Sequence, residues 1–264
     1  MTYSTIEYGV EKGVARLTLN RPERMNAINS TMYEEFCGAM ARAAGDDTVR
    51  VLLLSGAGER AFCAGADLQA RGEDRPMNAD RVRERNIHPE RSLNGTLLGF
   101  EKPLIAAVNG VAVGGGLSMA LVSDIIIAAD TARFGTAHAK LAMPLLDMLG
   151  YLLPRRIGPG RASELAFTGR LVDAEEALRI GLADRVVPAN ELAAVAGALA
   201  EEIAQNAPLS LHFSKEAIRR YSPESYQEYV RYERYIFNVC FSSEDAKEAI
   251  RARREKRPPL FTGK

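Results

Sequence analysis

Apolar and polar residues alternate with a period of two from Val14 to Leu19, and this alternation predicts a half-buried strand. Pro22 ends it, because proline cannot continue a strand ladder. Three later runs are continuously apolar and predict buried strands, at residues 51–54, 104–108 and 125–128. Segments whose apolar residues have helical spacing lie between these runs. The repeated order of strand, helix and strand predicts an α/β layered core.

The first predicted helix follows Pro22. Ser30 or Thr31 is its predicted N-cap, with Glu34 or Glu35 placed for a capping box. The apolar residues that recur on one face of this helix are predicted to be buried, and they are Met32, Phe36 and Met40.

The last quarter of the chain has the spacing of amphipathic helices, predicted at residues 189–206, 210–221, 223–241 and 243–255. Helices of this kind without strands usually cover a neighbour, so we divide the chain into a core at 1–190 and a helical region at 191–264. The charged, Arg-rich stretch 69–99 has no strong periodic face. We interpret it as a mobile lid or a substrate-lining helix.

Two segments of small residues carry the candidate chemistry. They are AFCAGADL at 61–68 and IAAVNGVAVGGG at 105–116, and each follows or begins with an apolar strand-like run. The three glycines of the second lead into a helical run at 117–122, where free N–H groups and the positive end of a helix dipole converge. Neither GxGxxG nor GxxxxGK[ST] is present, so these are not nucleotide-binding loops of those types. Two backbone donors suit an oxygen that gains negative charge during a reaction, which predicts an oxyanion hole.

With these motifs the chain resembles the crotonase superfamily, the enoyl-CoA hydratase/isomerase enzymes, nearly from end to end. The other blocks in the same order are LNRPERMNAIN at 19–29, SDIIIAA at 123–129, FG at 134–135, GLADRVV at 181–187 and EKR at 255–257. The resemblance implies an α/β fold, a crotonase-like spiral of ββα units, with the CoA and oxyanion sites in 1–190 and a trimerisation region of helices in 191–264. It also implies a homotrimer or a dimer of trimers.

The substrate that the resemblance implies is an acyl thioester of coenzyme A, with no cofactor besides the CoA of the substrate. The thioester oxygen is expected between the N–H groups of Ala66 and Gly115, which stabilise an enolate. Arg24 and Lys256 are of the type that pairs with phosphates. The positions that match the family's CoA-lining residues are Arg24, Ala27, Ala64, Asp67, Leu68, Phe237 and Lys256.

The two glutamates that hydrate a double bond in the hydratases of this superfamily are both replaced. Ser118 stands at the first position and His138 at the second. A serine hydroxyl is not a base without a partner, whereas an imidazole titrates near neutrality. Some isomerases and dehalogenases of the superfamily place a catalytic aspartate one residue from Asp147, which matches if the loop shifts. Asp147 is also compatible with a solvated turn acid.

We therefore expect an acyl-CoA enzyme that resembles the enoyl-CoA hydratases and isomerases but has atypical acid/base residues. His138 is its predicted principal acid or base, and Ser118 is predicted to orient water or substrate. One alternative is a thioester or C–C hydrolase of the same fold. The other is a non-catalytic acyl-CoA binding protein, a possibility that the missing glutamates raise.

Composition narrows the class of partner. Lys and Arg together number 34, and so do Asp and Glu. The chain therefore has no net charge that favours binding to nucleic acid or to a membrane surface. Three scattered cysteines have no metal-ligand spacing and indicate reduced thiols, so we expect a cytoplasmic enzyme that holds no metal. The amino terminus lacks the pattern of an export signal.

Overall fold

A computed structural model describes residues 3–68, 92–220, 230–231, 234–235, 237–238, 241–257 and 259. The predicted lid therefore lies mostly outside the described residues, as does His88, which the sequence places within it. Much of the helix predicted at 223–241 lies outside them too.

Two sheets form the framework. The first has the strand order β1 (Ile6–Glu11), β2 (Val14–Leu19), β3 (Val51–Gly56), β5 (Leu104–Val108), β7 (Ile125–Ala129) and β10 (Arg185–Val187). The second has the order β4 (Ala61–Cys63), β6 (Val111–Val113), β8 (Arg133–Gly135) and β9 (Leu171–Asp173). Apart from the β1–β2 and β8–β9 pairs, neighbouring strands are parallel.

The chain winds as a spiral between these sheets. β3, β5 and β7 are successive neighbours in the first sheet, and β4, β6 and β8, which follow them along the chain, are successive neighbours in the second. Each turn of the spiral therefore adds one strand to each sheet. The α/β core predicted from the sequence is confirmed.

Helices fill the space around the sheets. In the described residues they are α1 (Ser30–Gly45), α2 (Leu93–Leu98), α3 (Gly115–Val122), α4 (Leu149–Ile157), α5 (Pro159–Thr168), α6 (Ala174–Arg179), α7 (Leu192–Ala204), α8 (Pro208–Arg220) and α9 (Glu244–Arg254). Within this described part of the chain, no helix combines the length and apolar character needed to cross a membrane.

The predicted cap of α1 is wrong, although its predicted buried face is confirmed. Asn29 is the N-cap: its backbone is extended, and its side chain accepts a hydrogen bond from the Met32 amide at 2.9 Å. Ser30 is already the first helical residue. Asparagine caps a helix as well as serine does, so the chain starts its helix one residue earlier than the serine predicts.

The first sheet is buried on both faces, which explains why its central strands are continuously apolar. On β3, Leu52 and Leu54 point into the main core, while Val51 and Leu53 point into a second apolar cluster. Helix α7 covers that second face with side chains at helical spacing, namely Leu192, Ala196 and Ala200. The main core lies between the two sheets and the helices around α1 and α3.

Candidate active site

The site is assembled where the loop after β2 meets the segment after β4. Ile28 and Ala66 form a parallel bridge, in which the Ile28 amide donates to Gly65 O at 2.8 Å and the Asp67 amide donates to Ile28 O at 2.9 Å. The Ala64 amide adds a bond to Met25 O at 3.0 Å. These bonds bring the small-residue segment 61–68 beside the segment 19–29.

The Ala66 amide faces away from this bridge. In this parallel bridge Ile28 bonds to Gly65 and Asp67, the residues before and after Ala66. The N–H of Ala66 therefore points away from Ile28. Gly115 is the first residue of α3, where an amide has no acceptor within the helix. The backbone at Gly115 lies next to that at Gly65: a Cβ built on Gly115 would lie 3.7 Å from Gly65 Cα.

Glycine is required at two positions for this approach. Gly65 has a φ of +84°, and a Cβ there would lie 2.9 Å from Val113 O and 3.2 Å from the Gly115 nitrogen. A Cβ on Gly116 would lie only 2.0 Å from Cys63 O. The absence of side chains therefore lets the start of α3 press against the end of β4. A pair of backbone donors held this way suits an oxygen that becomes an anion.

Ser118 lies on the first turn of α3 and is fully buried. Its hydroxyl donates a hydrogen bond to the main-chain carbonyl of Asp147. The proton of this hydroxyl is thus committed to the backbone of another candidate residue.

His138 is buried, with 5% of its surface exposed, beside the glycine that precedes the predicted donor. Its Cε1 would be 3.8 Å from a Cβ built on Gly114. Burial lowers the pKa of His138 below its usual value, although the Asp147 charge and a hydrogen bond with the Thr136 backbone oppose this. The imidazole is therefore neutral at pH 7. Its Nδ1 is buried and has no hydrogen-bond partner.

Asp147 brings a carboxylate to the same place. Its Oδ2 would lie 3.4 Å from a Cβ built on Gly115, although the side chain is exposed. The residue precedes α4 in the left-handed region, with a φ of +53°, and Met148 follows at +65°. The Asp147 charge also acts on the buried Cys63 thiol, whose pKa is raised to about 12, chiefly by burial. That thiol stays protonated and is no nucleophile at neutral pH.

The predicted CoA-lining residues fall into two groups. Those of the first group lie on the bridged segments described above, and they are Arg24, Ala27, Ala64, Asp67 and Leu68. Arg24 is exposed, whereas the Asp67 carboxylate is in a nearly buried ion pair with Arg21, at 3.0 Å. The Asp67 side chain therefore braces the loop, since Arg21 also donates to Ala27 O.

The second group lies in the carboxy-terminal region of the chain. Phe237 is half-buried and stacks on Phe241 with ring centroids 5.1 Å apart. Lys256 is exposed, just beyond α9.

Sequence reasoning missed two residues that support this site. Arg21 lies within the quoted motif at 19–29, and an arginine next to a strand end was a usable signal for a buried ion pair. Asn94, on α2, donates to Asp147 O at 3.0 Å. It falls in a charged stretch without a motif, so nothing in its neighbourhood marked it.

The comparisons with known proteins agree with this geometry. The family model described as enoyl-CoA hydratase/isomerase matches residues 9–264. The chain belongs to the enoyl-CoA hydratase/isomerase family. This confirms the resemblance to the crotonase superfamily, and the protein is an enzyme of the hydratase/isomerase type.

Relatives within this family carry several activities. The 1,2-epoxyphenylacetyl-CoA isomerase of Escherichia coli strain K12 is 40% identical over 259 residues, with 97% of each chain covered. The short-chain-enoyl-CoA hydratase of Clostridium acetobutylicum is 39% identical, with 94% of this chain and 93% of the relative covered. The crystal structure of the carnitinyl-CoA hydratase from Mycobacterium avium superposes with a TM-score of 0.88 at 34% identity, over the whole of both chains. The predicted crotonase-like fold is thereby confirmed.

Proposed function

We propose that this family member is an enoyl-CoA isomerase in which one carboxylate, that of Asp147, moves the proton. The acyl-CoA thioester oxygen binds between the N–H groups of Ala66 and Gly115. The CoA portion lies along the bridged segments that carry Arg24, Ala27 and Leu68. As in its relatives, coenzyme A enters as part of the substrate.

The single observation that carries this function is the position of the Asp147 carboxylate beside the Gly115 backbone. Of the three acid/base candidates, Ser118 gives its proton to a carbonyl, and the buried His138 ring lies beside Gly114 rather than beside Gly115. Of the three, only Asp147 is exposed, and its carboxylate lies beside Gly115. Hydration requires one group to activate water and another to deliver a proton, whereas a double-bond shift needs only one group that takes a proton and returns it.

The proposed reaction balances with this one group. The Asp147 carboxylate removes a proton from Cα of a β,γ-enoyl thioester, and the electron pair of the C–H bond moves into the thioester to form a dienolate. The two backbone N–H groups stabilise the negative oxygen. Protonated Asp147 then returns the proton to Cγ, the double bond forms between Cα and Cβ, and the carboxylate is restored. No water is consumed.

A substrate panel with Asp147→Asn tests this function. The wild-type protein is expected to convert β,γ-enoyl-CoA to the conjugated α,β-enoyl-CoA faster than it hydrates α,β-enoyl-CoA, as followed by absorbance of the conjugated thioester and by chromatography. Asp147→Asn should lower kcat for isomerisation about 10²–10⁴-fold, the usual worth of a general acid/base. Asp47→Asn, at an exposed aspartate of the turn after α1, is the matched control and should keep wild-type kcat.

Three outcomes contradict the proposal. The first is faster hydration than isomerisation by the wild-type protein, which favours the hydratase alternative. The second is an Asp147→Asn variant with nearly wild-type kcat. The third is tight binding of acyl-CoA without turnover of any substrate in the panel, which favours a non-catalytic binding protein.

A further inference from the structure

On the basis of the proposed function, we infer that Ser118 and Asn94 are positioning residues that hold the main chain of Asp147, so that its carboxylate faces the thioester site. Ser118 thus has a structural role at the position where the hydratases of the superfamily carry a catalytic glutamate. Neither residue needs to contact substrate for this role.

The backbone at Asp147 is in a conformation that side chains disfavour. Asp147 and Met148 both have positive φ, at +53° and +65°. Aspartate tolerates this region, whereas the longer side chain of methionine is strained there. Two consecutive left-handed residues therefore need support from their surroundings.

Two side-chain donors meet at the carbonyl oxygen of this turn. The Ser118 hydroxyl donates to Asp147 O from α3, and the Asn94 amide donates to the same atom at 3.0 Å from α2. Both donors are buried, with 0% and 7% of their surfaces exposed. Because a carbonyl oxygen has two lone pairs, the pair of donors satisfies it completely.

The elements that supply these donors also form the rest of the site. Helix α3 begins with the Gly115 amide and carries Ser118 one turn later, so one rigid helix fixes both the predicted oxyanion donor and the Asp147 turn. Helix α2 packs against α3 and brings Asn94 to the same oxygen. Two hydrogen bonds to one atom thereby hold the Asp147 backbone, from which the carboxylate extends, in place relative to the predicted oxyanion donor.

Ser118→Ala and Asn94→Ala test the inference, with Ser123→Ala as the matched control. Ser123 is also buried at α3, and its hydroxyl donates to Met119 O at 3.1 Å, away from Asp147. Each test variant is expected to lower kcat for isomerisation about 10- to 100-fold with little change in KM, because misplacement by a fraction of an ångström impairs proton transfer but not CoA binding. The control should keep wild-type kcat and KM.

The double variant Ser118→Ala/Asp147→Asn separates positioning from a direct role. If Ser118 acts through the Asp147 carboxylate, adding Ser118→Ala to Asp147→Asn lowers kcat no further. Additive losses would overturn the inference. Wild-type kcat in both Ser118→Ala and Asn94→Ala would also overturn it.

A second measurement does not depend on which group moves the proton. Hydrogen exchange read by mass spectrometry should be faster in the peptide that spans residues 146–152 in Ser118→Ala and Asn94→Ala, and unchanged there in Ser123→Ala. Unchanged exchange in the two test variants refutes the positioning role. An active Asp147→Asn protein with faster exchange in these variants refutes the proposed function alone, so the two failures are distinguishable.

Discussion

At the scale of single residues, the two glycines that begin α3 have different roles. Gly115 supplies the free amide, and its neighbour Gly116 lets the helix touch β4. The Gly116 position is the more demanding one, since a Cβ there would lie 2.0 Å from Cys63 O, 2.7 Å from Cys63 C and 2.8 Å from Cys63 Cβ. Cys63 is fully buried at the end of β4, and its backbone atoms cannot move aside as a flexible side chain does.

Gly116→Ala is therefore expected to destabilise the protein by about 1–3 kcal/mol, the usual cost of overpacking a core, or by more. The matched control is Gly38→Ala, in the middle of α1, where an added Cβ meets no atom within 4 Å. That control should stabilise the protein by about 0.5–1 kcal/mol, because alanine has a higher helix propensity than glycine. Urea unfolding at constant slope measures both, and equal midpoints for Gly116→Ala and the wild type would contradict the packing argument.

Single residues also show what the sequence determines about the site. The two small-residue segments after strands indicated a backbone-lined site, and the resemblance to the family then gave Ala66 and Gly115 as its predicted donors. The orientation of the Asp147 carboxylate was not, since it depends on two left-handed residues and on donors from α2 and α3. His138 titrates near neutrality as a free side chain, and only burial in the fold lowers its pKa.

At the scale of elements, predictability follows length and apolar content. The bounds predicted for β2 and β5 agree with the structure, because each is a run of five or six residues with a clear pattern. The strands β4, β6 and β8 have three residues each, too few for a period to be read. They form because the spiral places them beside one another, which is a property of the whole chain.

Helix α1 makes a further contact, with the start of the chain, that the sequence analysis did not predict. Glu35 was a predicted capping-box residue of this helix. It instead accepts hydrogen bonds from both the amides and the hydroxyls of Ser4 and Thr5, at 2.5–2.9 Å. Burial by itself raises the pKa of Glu35, but the bonds from Thr5 and Ser4 outweigh it and lower the pKa to about 2. The carboxylate thus ties the start of the chain to α1.

Glu35→Gln is expected to lower the free energy of unfolding by about 1 kcal/mol at pH 7, a value reduced for solvent screening at this half-buried site. A carboxyl whose pKa is lower in the folded state stabilises the fold above its unfolded pKa, near 4.5, and loses this contribution as the pH falls toward 2. The difference between variant and wild type should therefore shrink across that window in chemical denaturation curves. Exposed Glu34→Gln is the control and should track the wild type throughout, whereas a Glu35→Gln difference that is constant from pH 7 to 3 would be inconsistent with the tether.

At the scale of the whole molecule, the carboxy-terminal helices do more than one task. Helix α7 completes the fold by covering the second face of the first sheet. Helix α8 anchors to the turn after α3 through Lys215, which pairs with Asp124 at 2.7 Å and donates to Lys102 O at 2.6 Å. Burial lowers the pKa of Lys215 to about 8, although the Asp124 charge opposes this. One face of α8 is thus fixed to the core, whereas Leu209, Phe213 and Ile218 face outward.

That outward surface carries the last prediction, the association of this chain into a trimer or a dimer of trimers. Leu209 and Phe213 lie four residues apart on one face of α8 and expose 71% and 59% of their surfaces. Large apolar side chains exposed side by side mark a surface that is buried in an assembly.

In light scattering after gel filtration, the wild type should have three or six times the 28.8 kDa mass of the chain, and Leu209→Lys/Phe213→Glu should have a lower mass. Ile218→Glu is the matched control, since Ile218 is 76% exposed but lies about half a turn around α8 from Leu209, and it should keep the wild-type mass. A wild type that runs as a monomer, or a control that dissociates as fully as the double variant, would mean that these two side chains do not form the interface.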